Sequence, residues 1–154
     1  MGAPSPGGVA ERLRRLEDIE AIRNLIASYG PAVDRGDASG AAAAWAETGE
    51  YDIGGYGSHR GRAAIEAILD GDTHHDLIDG GAGHLLGPCH VVLDGDAATA
   101  VALSVVFRRA GDTFEAWRVS ANRWRLVRSS DGWQIIRREN RTLDGSEAAR
   151  ALFR

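Results

Sequence analysis

The hydrophobic period of this chain changes once, and that change limits what it can fold into. Leu13, Leu16, Ile19, Ile22, Leu25, Ile26, Tyr29 and Val33 recur at spacings of three and four, with Arg12, Arg15, Glu17, Glu20 and Arg23 on the other side. That spacing builds an amphipathic helix. After residue 83 the period becomes two, over "HLLGPCHVVL", "ATAVALSVVFRR", "TFEAWRVSANRWRLVR" and "WQIIRREN". Such alternation predicts four half-buried strands. "DGD" at 94–96, "AGD" at 110–112 and "SDG" at 130–132 supply the residues of tight turns between them. An antiparallel meander follows. Helices first and a curved sheet after predict an α+β fold with one side of the sheet covered. A bent sheet folded over a helix leaves a cone-shaped hollow, and small-molecule sites favour such hollows.

Finer boundaries follow from local chemistry. Pro31 lacks a backbone donor, so the first helix should kink or stop at Gly30. Asp37 or Ser39 can cap a short helix over "AAAAWAE". "EYDIGGYG" reads as a strand entering a glycine turn, and 62–69 as a helix closed by Gly71. The polar stretch "DGDTHHDLIDGGAG" reads as a loop or lid, and Gly87-Pro88 as a bulge in the first late strand. The turn-forming start, "MGAPSPGG", has no apolar stretch and is expected to be a disordered tail over 1–8, not a signal peptide. A single domain is expected over 9–145, with 146–154 a C-terminal tail or short helix; 154 residues suit one core and hardly two.

Composition removes several function classes. The formal charge of −4 argues against a general nucleic-acid binder, whose affinity rests on excess positive charge. All 18 basic residues are arginine, which excludes a Schiff-base lysine and a P-loop lysine. The lone cysteine, Cys89, permits no intrachain disulfide and no Cys-rich zinc site, and a reducing, cytoplasmic compartment is expected. No apolar run approaches the roughly 18 residues of a membrane span.

Two residues stand out as candidates for chemistry. His84 opens a strand of an apolar sheet, and imidazole titrates near neutrality, as a general base must. Such a base needs a group that fixes its tautomer, and a facing carboxylate would serve. Asp34 is the one acid embedded in the apolar end of the first helix. Taken alone, each has a plainer assignment: a structural histidine, and a cap after a helix break.

A resemblance changes that weighting. "EAIRNLIASYGPAVDRGD", "WAETGEYDIGGYGSHRGRAAI", "GAGHLLGP" and "SSDGWQIIRREN" follow one another, over roughly 17–143, as in the SnoaL-like branch of the nuclear transport factor 2-like superfamily. The chain most resembles the group of lindane dehydrochlorinase, bile-acid 7α-dehydratase and scytalone dehydratase. The resemblance implies a cone-shaped α+β barrel and a catalytic His–Asp dyad, whose aspartate matches Asp34 and whose histidine matches His84. It implies a substrate-binding role for Tyr29, which matches a tyrosine of the bile-acid enzyme. It implies the same for Asn122, which matches an asparagine of scytalone dehydratase, and for Arg138, which falls where the dehydrochlorinase holds its leaving group. Trp124 shares the face of Asn122 and is expected in the apolar wall. No cofactor and no metal are implied, and relatives pair as dimers or trimers.

This sequence also departs from those enzymes. Residues 104–109, "SVVFRR", contain no second pocket histidine, and Ser104 stands near where the bile-acid enzyme has a second acid. A ketosteroid-isomerase base would fall at Ile53. The activity implied is a cofactor-independent lyase or isomerase acting on a mostly apolar, cyclic small molecule by His–Asp proton abstraction. The alternative is a non-catalytic small-molecule-binding or structural subunit of the same fold. The adjacent His74 and His75 should point in different directions and so make a poor metal site. His59 and His90 have no evident partner. Trp117, Val119, Arg123 and Arg125 should form the outer face of a strand, suited to an oligomer contact.

Overall fold

A computed structural model describes residues 7–154. The expected N-terminal tail lies, through residue 6, outside the described residues. Six helices and seven strands follow in the order α1 (Val9–Ala27), α2 (Tyr29–Asp34), α3 (Ala38–Ala42), β1 (Trp45–Ile53), β2 (Gly57–Arg60), α4 (Arg62–Leu69), α5 (Asp72–Asp79), β3 (Ala82–Leu86), β4 (His90–Asp94), β5 (Ala97–Ala110), β6 (Thr113–Ser129), β7 (Gly132–Thr142) and α6 (Glu147–Ala151). The strands make one sheet in the order β2-β1-β7-β6-β5-β3, with β4 also on β5. It curls without closing, so the fold is α+β with helices packed in the hollow.

Several boundaries differ from the sequence expectations. The first helix breaks at Ser28, two residues early, and Pro31 sits in the first turn of α2, where its missing donor costs little. Asp37 does cap α3 through its bond from the Gly40 N–H, but α3 ends at Ala42 and Trp45 already begins β1. Helix α4 has the expected bounds; Gly71 precedes α5 and does not close α4. The expected loop at 72–79 is helix α5. Gly87-Pro88 divides two strands, β3 and β4, both on β5, and does not bulge one. The meander β5-β6-β7 is antiparallel, but β1 joins β7 in parallel.

The core lies between the concave sheet and α1–α4. Ile22 and Ile26 of α1, Val33 of α2, Ile65 of α4, Trp45 and Trp124 are nearly or fully buried. Only the second half of the α1 stripe is used: Val9, Leu13 and Leu16 are exposed. On β5 the inward residues are Ala98, Ala100, Ala102 and Ser104; the small side chains leave space above them.

Two bulges decide which side chains face inward. The β5–β6 register shifts at Trp117, and the β6–β7 register shifts at Ile136. A bulge inserts one residue and reverses the facing of those beyond it. Trp133 and Ile135 point inward on one side of the β7 bulge, and Arg138 and Asn140 on the other.

Candidate active site

Asp34 is the last residue of α2, and His84 stands near the middle of the short strand β3. Gly30 brings the two elements together. A Cβ at that position would collide with the His84 carbonyl oxygen, so only glycine permits α2 to lie this close to β3. At this approach the Asp34 carboxylate grips His84 twice. Oδ2 accepts the backbone N–H of His84 at 2.9 Å, and Oδ1 lies 2.6 Å from Nδ1. A carboxylate can only accept here, so Nδ1 carries the proton and Nε2 is left as the acceptor nitrogen. No protein group bonds to Nε2 among the described residues, and the ring lines a cavity.

Asp34 itself stands behind the ring and is not part of the cavity wall. Its side chain is 29% exposed, against 12% for His84. Of the pair, only the imidazole reaches the cavity.

The cavity measures about 390 Å³ and is mostly apolar, with Ile53, Ile68, Leu77, Leu86 and Val106 in its wall. This size lies in the range of small-molecule sites. Tyr29 lines it, edge-on to His84 with ring centres 6.5 Å apart. Burial, then the neighbouring Tyr51, pushes the Tyr29 hydroxyl above its ordinary pKa, so it remains a donor.

Arg138 also lines the cavity, although it is only 2% exposed. Its guanidinium lies over Tyr29, Tyr51 and Trp124 at 4.5, 4.6 and 5.1 Å from the ring centres. Asn122 Oδ1 accepts from its Nε at 3.1 Å and its Nη2 at 2.9 Å. Nη1 is buried without a partner.

Asn122 and Trp124 are placed otherwise than expected. Neither is part of the cavity wall. Asn122 is fully buried beneath it, where its Oδ1 also accepts from Asn140 Nδ2 and its own amide donates to Ser104 Oγ at 2.8 Å. It anchors Arg138 and has little capacity left for a ligand. Trp124 supports the same guanidinium from below.

Sequence reasoning missed three wall residues. Trp117, expected on the outer face, and its neighbour Arg118 both line the cavity, because the bulge turns the strand there. Arg118 donates to the Gly54 carbonyl and to Asn140 Oδ1, each at 2.8 Å. His74 is the third; reading 72–79 as a helix would have put it on one face with Leu77, three residues on. The companion His75 bonds Asp70 at 3.0 Å, away from the cavity. No cluster of three metal-ligating side chains is found among the described residues.

A curled sheet over helices, with an imidazole at the wall of an apolar hollow and a carboxylate behind it, defines a class of pocketed α+β proteins. The chain belongs to the SnoaL-like domain family, whose profile matches residues 14–139, within the nuclear transport factor 2-like superfamily. A protein of that superfamily from Novosphingobium aromaticivorans, with a cystatin-like fold, is 52% identical over 99% of both chains, with a TM-score of 0.93. A single-residue variant of Rv3472, a protein of unknown function from Mycobacterium tuberculosis, is 26% identical over 90% of this chain and 77% of that one, with a TM-score of 0.75. A candidate scytalone dehydratase from N. aromaticivorans shares the fold at 19% identity, covering 83% and 85% of the two chains, with a TM-score of 0.68. No curated protein matches the chain. Among the described residues no helix is long and apolar enough to cross a membrane.

Proposed function

We propose that this protein is a cofactor-independent lyase or isomerase that abstracts a proton from carbon in a mostly apolar, cyclic small molecule. The observation that carries the reading is the 2.6 Å contact of Asp34 with His84 Nδ1, which leaves Nε2 open to the cavity. In the mechanism, Nε2 takes the proton and Asp34 stabilises the imidazolium that forms. The C–H electrons become an enolate or ring anion. Arg138 and Arg118 face that charge from a wall that carries no carboxylate, and Tyr29 can donate to it. In a dehydratase-like β-elimination the electron pair then expels hydroxide from the neighbouring carbon. The imidazolium returns its proton to the hydroxide, water leaves, and the dyad is restored. In an isomerisation the proton returns to another carbon.

An open cavity, not one filled by side chains, weighs against a purely structural subunit. Binding without chemistry is the competing outcome, and solvent-deuterium exchange into α-tetralone separates the two. The wild-type protein should accelerate exchange at the carbon beside the carbonyl. His84→Ala and Asp34→Asn should each lower that rate by about 10²–10⁴-fold, the usual worth of a positioned base. Equal exchange in all three proteins would leave a binding protein only. The protein is further proposed to work in the cytoplasm, since its single Cys89 is buried and suits a reducing compartment. It is also proposed to self-associate as a dimer or trimer through the outer sheet face, where Leu103 and Ile136 are exposed near Arg123 and Arg125.

A further inference from the structure

The cavity wall carries two guanidinium groups and no carboxylate. Arg118 and Arg138 both line it, and no aspartate or glutamate does. Every hydrogen-bond acceptor of the two among the described residues is neutral. Arg118 donates from Nε to Ser120 Oγ at 3.2 Å, and from Nη2 to the Gly54 carbonyl and Asn140 Oδ1, each at 2.8 Å. Asn140 in turn donates to Asn122 Oδ1 at 2.9 Å, the oxygen that also receives Arg138. Two amides thus join the guanidiniums and fix both along one wall. They orient the cations and leave the charge uncompensated.

The two arginines differ in what they still offer. Nη1 of Arg138 is enclosed by the protein. Nη1 of Arg118 forms no hydrogen bond among the described residues and is not enclosed. Its guanidinium lies 5.6 Å from the ring centre of the exposed Tyr56, so it stands toward the open side of the cavity. Ile68, Leu77 and Leu86 supply an apolar lining for the body of a ligand. A carbonyl or hydroxyl oxygen on Nη1 would accept a hydrogen bond and leave the positive charge as it is. A carboxylate would accept the bond and neutralise the charge, and such charge-assisted bonds are about twice as strong as neutral ones. In a half-buried wall the counter-charge is also screened less than in water. A phosphate would bring up to two charges and three oxygens to a single free amino group.

We infer that Arg118 anchors a carboxylate of the ligand, so that the cavity selects ring acids over their neutral counterparts. This rests on reading the cavity as the substrate site, and adds the charged group the substrate carries and the residue that binds it. The permanent charge goes to Arg118, which leaves Arg138 for the charge that develops at the reacting carbon.

Cyclohexanecarboxylate and cyclohexanecarboxamide have nearly the same shape and differ in charge, and titration calorimetry of the two tests the inference. The wild-type protein should bind the acid about 10-fold or more tightly, the usual worth of one hydrogen bond to a charged group. Arg118→Gln should bring the ratio to about one while keeping the carboxamide affinity, and Arg118→Lys, which keeps the charge, should restore part of the preference. Arg12→Gln removes a positive charge from the exposed side of α1 and should keep the full preference. In protein labelled with ¹⁵N-arginine, the Arg118 Nε–H signal should move with the acid and not with the amide, a readout that needs no variant to fold. An absent preference in the wild type, an unchanged ratio in Arg118→Gln, an equal loss in Arg12→Gln, or an Arg118 signal that ignores the acid would each overturn the inference. The measurement involves no reaction. A preference that depends on Arg118, in a protein that fails to exchange deuterium, would remove the proton-abstraction reading and leave this one standing; exchange without the preference would do the reverse.

Discussion

Arg138 brings a positive charge into a place with no carboxylate in the wall beside it. Three aromatic faces and one amide oxygen hold it. Aromatic faces attract a cation but form no directional hydrogen bonds to its N–H groups, so the directional part falls to Asn122. Its Oδ1 accepts from Arg138 and Asn140 together. Replacing Asn122 by leucine removes that acceptor and leaves the buried guanidinium with no polar partner but solvent in the cavity. The expected cost is about 3 kcal/mol or more of folding stability, because the penalty of an unpaired buried charge is added to the lost bonds. Ser104→Ala, which removes only a neutral acceptor of the Asn122 amide, should cost about 1 kcal/mol. Urea denaturation measures both, and similar losses in the two variants would show that Asn122 does not hold the charge.

Elements succeed or fail here by how closely two backbones can approach. α2 lies on β3 only because Gly30 has no side chain to meet the His84 carbonyl. Gly30→Ala should push the helix away, lengthen the Asp34–His84 contact and cost about 1–3 kcal/mol, as overpacking usually does. Gly83 provides the control: it is the residue before His84, and a Cβ there meets nothing within 4 Å. Gly83→Ala should leave both the melting temperature and the deuterium exchange nearly unchanged, while Gly30→Ala lowers both. This level of organisation was only partly legible in the sequence. Period two located β5, β6 and β7, because that signal comes from burial on one face, and 62–69 was read as the helix that α4 forms. The SnoaL-like motifs pointed to Asp34 and His84, which the folded chain brings into contact. Bulges leave no mark on a period: nothing in "TFEAWRVSANRWRLVR" or "WQIIRREN" announces that Trp117 and Ile136 are the extra residues. Arg118 therefore went unnoticed, and Asn122 was assigned to a ligand when its partners are Arg138, Asn140 and Ser104. The helix α5 was hidden by its polar composition and the glycines at both ends, and His74 with it.

For the whole molecule, stability at low pH gathers contributions from distant places. Arg128 holds the Asp18 carboxyl below its ordinary range, the Gly40 N–H and then Arg35 do so for Asp37, Ser58 and then Arg137 for Glu50, and Ser146 for Asp144. Each of these groups takes up its proton at a higher pH when the chain is unfolded. Protonation therefore favours the unfolded state, and the stability they contribute is complete above their unfolded values and lost as pH falls through the lowered ones. His74 acts in the same direction but earlier. Unfolded, it takes up a proton as pH drops through the ordinary value of 6.5; folded, burial resists that proton. Between those points the unfolded chain binds more protons, so stability starts to fall well before any carboxylate titrates. Calorimetry at successive pH values should show melting temperatures that begin to decline below about pH 6.5 and drop more steeply below about pH 4. His74→Gln, which cannot titrate, should remove part of the first decline and leave the second intact. A variant that follows the wild type between pH 5 and 7 would mean that His74 accepts its proton as readily in the folded chain as in the unfolded one.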